Sequence, residues 1–336
     1  MRRHGINYDT GFDPFADGTS RTHFDPDTVR RDMAVIADEL HCDAIRVSGG
    51  DPERLSIAAE AAAEAGLEVW FAPFPCNMTH DQLIDHLADC ARRAERIRAT
   101  GAEVVYVTGC EISLFHPGFV PGDDLAARID TLTHSPREWY AAELGPIIGR
   151  LSGFLAEAAA EVRKHFGGRL SYASGPWEHI DWTPYDIVGV DAYRADHNAE
   201  RFREEIRGHL EHGKPVAATE FGCCTYRGAG ARGGAGWMVL EKAADGGRRL
   251  NEPLVRDEQE QSRYFTELLP VFEEEGLDAA FWFTYAAWGL PRHDGDPALD
   301  LDLAGYGVQA VLPDGTLRPK EVFRAMAAAY GAATAG

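Results

Sequence analysis

The chain has 336 residues, with 33 Lys and Arg against 54 Asp and Glu, a formal net charge of −21. That length buries a core without disulfides or metals. The acidic balance disfavours nucleic acid and anionic lipid as partners, since the arginines are scattered along expected helices and never form a basic block.

Eight short apolar runs read as strands. They begin near His4 (HGINY), Asp43 (DAIRVSG), Leu67 (LEVWFAPF), Glu103 (EVVYVTG), Arg169 (RLSYASG), Asp186 (DIVGVDAY), Pro215 (PVAATEFG) and Asp278 (DAAFWFTY). Segments of helical period follow at 26–40, 52–65, 80–100, 136–166, 198–212, 257–275 and 317–330; only the interval between the fifth and sixth runs is too short for a clear helix. Asp25-Pro26 and Asp51-Pro52 resemble an N-cap followed by proline, and Gly66, Gly101, Gly167 and Gly276 stand where helices end. Apolar runs without strict alternation suit strands buried on both faces. Eight such units predict a (β/α)8 TIM barrel, a parallel eight-stranded closed sheet, forming one domain over 1–336. A doubly wound sheet is the alternative, but no Gly-rich phosphate fingerprint follows the first strand. Two stretches without helical pattern, 115–135 after the fourth strand and the Gly-rich 223–256 after the seventh, read as long loops at the rim or as tolerated insertions.

The cysteines at 42, 76, 90, 110, 223 and 224 form neither a disulfide framework nor a zinc spacing. No apolar stretch suits a signal peptide or a membrane span, so a cytoplasmic location is expected, with no membrane partner. His293, Asp294, Asp296, Asp300 and Asp302 fail the calcium-loop spacing and read as a solvated acidic loop. The absence of HExxH, GxSxG and P-loop motifs argues against three large enzyme classes, and no cofactor or metal signature is present.

In a parallel barrel, chemistry collects where strands end at their C-terminal side. Glu111 closes EVVYVTGCE and Glu220 sits in PVAATEFG, each directly after an apolar run. A carboxylate there is costly unless it is solvated, paired or used. Two of them, on the fourth and seventh strands, suit a division of labour between a proton donor and an ionised partner.

With these residues the sequence resembles the glycoside hydrolases of clan A, cellulase-like (β/α)8 enzymes with catalytic glutamates on strands four and seven. The resemblance spans nearly the whole chain and implies Glu220 as nucleophile and Glu111 as acid/base. It also implies Arg46 (AIRVSG), Tyr193 (VGVDAY) and Trp282 (AAFWFTY) as the arginine, tyrosine and tryptophan of strands two, six and eight. Arg256 with DEQEQSRY is similar to the helix before strand eight. One position departs: the clan usually has Asn before the acid/base, where this chain has Cys110, and a thiol is a poor donor and acceptor.

On this reading Arg46 and Tyr193 hold Glu220, and Glu111 has a raised proton affinity from apolar surroundings and a neighbouring carboxylate. Trp282 reads either as a sugar-stacking platform or as core. Asn7, Tyr8 and Asn77 are placed to bind substrate hydroxyls; Trp177, His179 and Trp288, with Glu178, either line subsites or pack beneath rim loops. The expected function is a retaining O-glycosyl hydrolase acting on a small soluble glycoside or oligosaccharide. Cys110 motivates one alternative, a barrel turned to non-glycosidic acid/base chemistry such as cyclisation, isomerisation or elimination; a non-catalytic sugar-binding barrel is a further one and would require Glu111 or Glu220 to be engaged in permanent salt bridges.

Overall fold

A computed structural model describes residues 1–243 and 246–334. Ala244 and Asp245 of the expected 223–256 loop, and the last two residues of the expected 1–336 domain, lie outside the described residues. All eight anticipated strands form: β1 (Arg3–Asp9), β2 (Ala44–Gly49), β3 (Glu68–Pro73), β4 (Val104–Cys110), β5 (Arg169–Ala173), β6 (Val188–Asp191), β7 (Val216–Phe221) and β8 (Ala279–Trp282). Their order in the sheet is β5-β4-β3-β2-β1-β8-β7-β6. The two ends of that order meet through a parallel bridge between Ser174 and Val190, with the Ser174 amide donating to Gly189 O and the Asp191 amide to Ser174 O. The fold is therefore a (β/α)8 barrel. Every residue of β2, β3 and β4 is buried, which is why these runs are continuously apolar rather than alternating.

The chain separates into two compact units. One comprises Met1–Asp9, Arg31–Arg46 and Ala192–Gly336; the other comprises Thr10–Arg30 and Val47–Asp191. In the first, β8 pairs in parallel with β1 from Arg3–Ala279 to Ile6–Trp282, and with β7 in a register that slips between Ala280 and Trp282. In the second, β4 pairs in parallel with β3 and β5, and its register against β5 slips between Val107 and Cys110. Both irregularities lie toward the C-terminal ends of the strands. Gly109 occupies the second slip at φ 120°, with room for no side chain: a Cβ there would stand 2.7 Å from Ile112 Cδ1.

The helices start and stop largely as their boundary residues dictate. Asp51 accepts from the amides of Glu53 and Arg54 to open α2 (Pro52–Glu64), after α1 (Pro26–Ala34), which continues as one π turn, Val35–Glu39. Thr79 and Gln82 form a capping box on α3 (His80–Arg98). Gly66, Gly101 and Gly276 take left-handed conformations after their helices, whereas Gly167 is not at positive φ.

Three expectations are corrected. The 115–135 stretch is not irregular: after a single turn, α4 (Ile112–Phe115), it folds into α5 (Leu125–His134), capped by Asp124. Only Leu125 and Arg128 of α5 are buried, so it carries no apolar stripe to read. The long α6 (Arg137–Arg163) and α7 (Phe202–Leu210) follow in their anticipated intervals. Likewise 223–256 contains α8 (Ala229–Arg232), a 3-10 segment Gly233–Val239 and a hairpin of Leu240–Lys242 with Arg248–Leu250, before α9 (Glu258–Glu275). The start of the 317–330 segment is a strand, Leu317–Pro319, paired with Gln309–Val311, and α10 begins at Glu321 (Glu321–Thr334).

A fourth correction concerns the acidic run. His293, Asp294 and Asp296 are exposed, but Asp300 and Asp302 are buried. Arg256 donates to both, at 2.8 Å (Asp300 Oδ2) and 2.7 Å (Asp302 Oδ2). Lys320 Nζ sits 2.9 Å from Asp302 and donates to the Thr225 hydroxyl at 2.7 Å. Lys320 and Asp302 are each 1% exposed, so this ion pair tethers the segment after β8 to the start of α10, and the Thr225 hydroxyl joins the segment after β7 to it. Asp302→Ala leaves a buried ammonium with one hydroxyl partner, and urea unfolding should show a loss of about 3–5 kcal/mol; a loss below about 1 kcal/mol would rule out the tether.

At the start of β1, His4 lies against Asp43 and, at 3.1 Å, Glu273, with its ring beside Tyr330. The Asp43 carboxylate beside it leads the causes that raise its pKa above the ordinary value, against the opposing effect of burial, and Glu273 adds to the rise. Protonated His4 therefore adds stability that is complete below the unfolded-state pKa and fades as pH rises through the higher folded one. The Tm difference between wild type and His4→Gln should be larger at pH 5.5 than at pH 9.

Candidate active site

In the first unit, the small buried run Val216–Thr219 carries Glu220 to the C-terminal end of β7. Its side chain is 13% exposed, and both carboxylate oxygens are held. Arg46 Nη1 donates to Oε1 at 2.6 Å, and the Tyr193 hydroxyl donates to Oε2 at 2.9 Å. Arg46, from β2, is 1% exposed. The same nitrogen donates to Asn7 Oδ1 at 2.9 Å, and Asn7 Nδ2 donates to Thr219 O at 3.0 Å. Just past β6, the Ala192 amide donates to Glu220 O at 2.7 Å, fixing the backbone next to Tyr193. A charge-assisted bond on one oxygen and a phenol on the other leave the carboxylate little rotamer freedom.

The structure thus brings Arg46, Asn7, Tyr193 and Glu220 together, with a changed part for Asn7. Its amide is engaged by Arg46 and the β7 backbone and is 1% exposed, so it orients the arginine rather than a substrate hydroxyl. Tyr8 does not join the group either: strand alternation turns it to the other face, where its fully buried hydroxyl donates to Asp32 at 2.7 Å. Trp282 is core. It has no exposed surface, donates from Nε1 to Tyr306 O at 3.0 Å, and packs edge-on against Phe221 and Phe265. No face is left for a sugar. The neighbouring Phe283 is only partly buried and meets Tyr306 edge-on, so the partly exposed ring here is one the sequence reading overlooked. Trp288 is half-buried.

In the second unit, Glu111 follows β4 directly and is partly exposed. Its backbone is left-handed, φ 43° and ψ 45°, a conformation that costs a residue with a side chain about 1–3 kcal/mol unless its surroundings hold it. The Glu111 amide donates to Ala173 O of β5, and its carbonyl receives the Leu114 and Phe115 amides of α4. The next two amides are also caught. That of Ile112 donates to the Tyr172 hydroxyl at 2.8 Å, and that of Ser113 to Glu178 Oε1 at 3.0 Å. Trp177 packs here, its Nε1 donating to Ser113 Oγ at 2.9 Å, while His179 is exposed.

Cys110 is buried, with its Sγ 3.6 Å from Oδ2 of the equally buried Asp191 at the end of β6. Asp191 was passed over in the sequence, although DIVGVD ends a strand in the same way as the two glutamates. Asn77, expected at substrate hydroxyls, is structural: at φ 58° it donates to Pro14 O and accepts from the buried Arg128, which also donates to Leu114 O at 2.6 Å.

No protein-family model and no curated protein sequence matches the chain. Solved structures do. A GH113 β-1,4-mannanase is similar over 98% of both chains at 14% identity, with a TM-score of 0.62. The GH113 β-mannanase AaManA from Alicyclobacillus acidocaldarius, solved in complex with ManMIm, matches at 17% identity over 98% of this chain and 96% of its own, with TM-score 0.62. The β-glucuronidase 2 of Bacteroides uniformis, covalently bound to cyclophellitol-6-carboxylate aziridine, matches 98% of this chain at 14% identity and TM-score 0.62, over 35% of its own length. The likeness is one of fold. Among the described residues, no helix is long and apolar enough to cross a membrane.

The placement of Trp282 predicts a purely structural phenotype. Trp282→Ala should lower stability by about 3–5 kcal/mol in denaturant unfolding, as expected for a buried aromatic. A protein of unchanged stability with weakened ligand binding would return the ring to the binding surface.

Proposed function

We propose that the chain is a retaining glycosidase of the clan A type, one catalytic domain over 1–336, cleaving a small soluble glycoside or oligosaccharide. The observation that carries this reading is the Glu220 carboxylate, held on both oxygens by Arg46 and Tyr193 at the end of β7. Such a group is aimed and restrained as a nucleophile requires. The left-handed Glu111 at the end of β4 supports the second role, since strain kept at a carboxylate points to use. The glycoside-hydrolase names of the similar structures point the same way.

On this reading Glu220 attacks the anomeric carbon while Glu111 gives its proton to the leaving oxygen. Water, deprotonated by Glu111, then displaces Glu220 and returns the sugar with its original anomeric configuration. That sequence requires the two carboxyl groups to come within about 5–5.5 Å across one sugar. Arg46 and Tyr193 hold the Glu220 carboxylate in line, and the Tyr193 bond loosens as the oxygen becomes an ester. A cytoplasmic location fits a substrate small enough to be imported or made inside the cell.

The test is covalent trapping. An activated 2-fluoro glycoside should add one sugar mass to the peptide containing Glu220, and Glu220→Gln should lower kcat by roughly 10³-fold or more. Wild-type turnover in Glu220→Gln would dispose of the assignment. The contact of the Cys110 thiol with Asp191 favours a second reading, in which the same glutamates move protons on a non-sugar metabolite. A broad panel of aryl glycosides that all resist hydrolysis would select it.

A further inference from the structure

Glu178 accepts four hydrogen bonds beside the turn that carries Glu111, and the proposed mechanism gives it no task. It is 4% exposed. Its Oε1 receives the Ser113 amide at 3.0 Å and the Ser113 hydroxyl at 2.5 Å, and its Oε2 receives the Tyr172 hydroxyl at 2.8 Å and the Gly175 amide at 3.1 Å. All four partners are donors. The two amides can only donate. The Tyr172 hydroxyl accepts from the Ile112 amide and the Ser113 hydroxyl accepts from the Trp177 indole, which leaves each one proton to direct at Glu178. With all four partners donating, the arrangement suits the carboxylate form. Burial raises its pKa from the ordinary value, and the same four donors work against that rise.

A buried anion satisfied at every lone-pair direction is a stiff object, and this one grips the backbone beside Glu111. The amides of 111, 112 and 113 reach β5 and its following loop at Ala173 O, Tyr172 and Glu178 in turn. Two of those three attachments run to or through Glu178. The loop is locked from its own side too, with the Glu178 amide on Gly175 O and the Ser174 hydroxyl on Glu178 O at 2.9 Å. The left-handed turn at Glu111 is thereby held by groups outside its own short helix.

Resting on the glycosidase reading, we propose that Glu178 is a positioning residue for Glu111: its carboxylate clamps the Ile112–Ser113 turn and so fixes where the acid/base carboxyl points. It touches neither substrate nor reacting atoms. Gln at 178 keeps the volume but turns one oxygen into an NH2, which faces at least one donor that no longer has an acceptor.

The experiment compares wild type with Glu178→Gln on two aryl glycosides, one whose leaving group departs without protonation (dinitrophenyl) and one that needs the proton (phenyl or alkyl). Glu178→Gln should lower kcat/KM for the poor leaving group by tenfold or more and for the activated one by less than threefold, with hydrogen exchange at 111–115 quickened. Equal losses on both substrates would reduce Glu178 to a general structural role, and unchanged values on both would remove it altogether. If Glu178→Gln does not fold, Ser113→Ala removes one donor and the indole relay without burying a mismatched amide, and should give the same leaving-group asymmetry in smaller measure. Failure of the glycosidase reading is seen separately, as absence of turnover and of Glu220 labelling in wild type; the exchange measurement then still decides whether Glu178 holds the turn.

Discussion

The pairing of Arg46 with Glu220 is the constraint around which the first unit is arranged. A guanidinium with 1% of its surface exposed is tolerable only if charge and hydrogen bonds meet it inside the protein, because its hydration is lost. Glu220 supplies the charge, while Asn7 Oδ1 supplies an acceptor from β1. Asn7 in turn needs Thr219 O for its own NH2 group. Three strands are thus committed by one buried cation: a shift of one residue in β1, β2 or β7 would point the wrong side chain inward and leave a charge unpaired. Tyr193 then completes the enclosure of Glu220 from just past β6. The same arrangement that makes the charge affordable also aims the carboxylate.

Much of the fold was legible because its signals are local. Apolar runs of five to eight residues, separated by helix-length segments with Asp-Pro starts and Gly ends, leave few architectures to choose from. What escaped the reading was structure without an apolar period. Helix α5 buries only Leu125 and Arg128, and the latter reads as polar although its guanidinium is enclosed by carbonyls and Asn77. The segment after β7 is rich in glycine and is organised by tertiary bonds, among them the Tyr306 hydroxyl on Gly233 O and the Tyr226 hydroxyl on Gly236 O. Asp300 and Asp302 read as solvated because their partners, Arg256 and Lys320, stand 18 or more positions away in the sequence.

For the site, the strand-end criterion singled out Glu220, and the family resemblance added Arg46 and Tyr193, which lie against its carboxylate. The same two guides admitted Tyr8, which alternation along β1 sends away from Asn7, and Trp282, which is fully enclosed next to the partly exposed Phe283. Counting the period of two from Asn7 would have separated Tyr8; nothing in FWF says which ring faces out, since the register of β8 on β7 slips within those residues. Asp191 and Glu178 were undervalued because a carboxylate in a chain this acidic attracts little notice. Their burial distinguishes them, and burial of a polar residue is invisible without its partners.

The two glutamates of the proposed mechanism stand in differently built surroundings. Glu220 is gripped at the carboxylate itself, by a cation and a phenol, from a strand with regular backbone up to its end. A nucleophile gains from that, since its charge must be present and its lone pair directed before the substrate arrives. Glu111 is gripped through the backbone on either side: Gly109 at φ 120°, the strained turn at Glu111 and the amides of 112 and 113 are all fixed, with the Glu178 carboxylate at the centre of the attachments. Anchoring the main chain sets where the Glu111 side chain leaves the backbone. The strain of a left-handed glutamate is the cost of that arrangement, and the buried Glu178 network is what keeps it from relaxing.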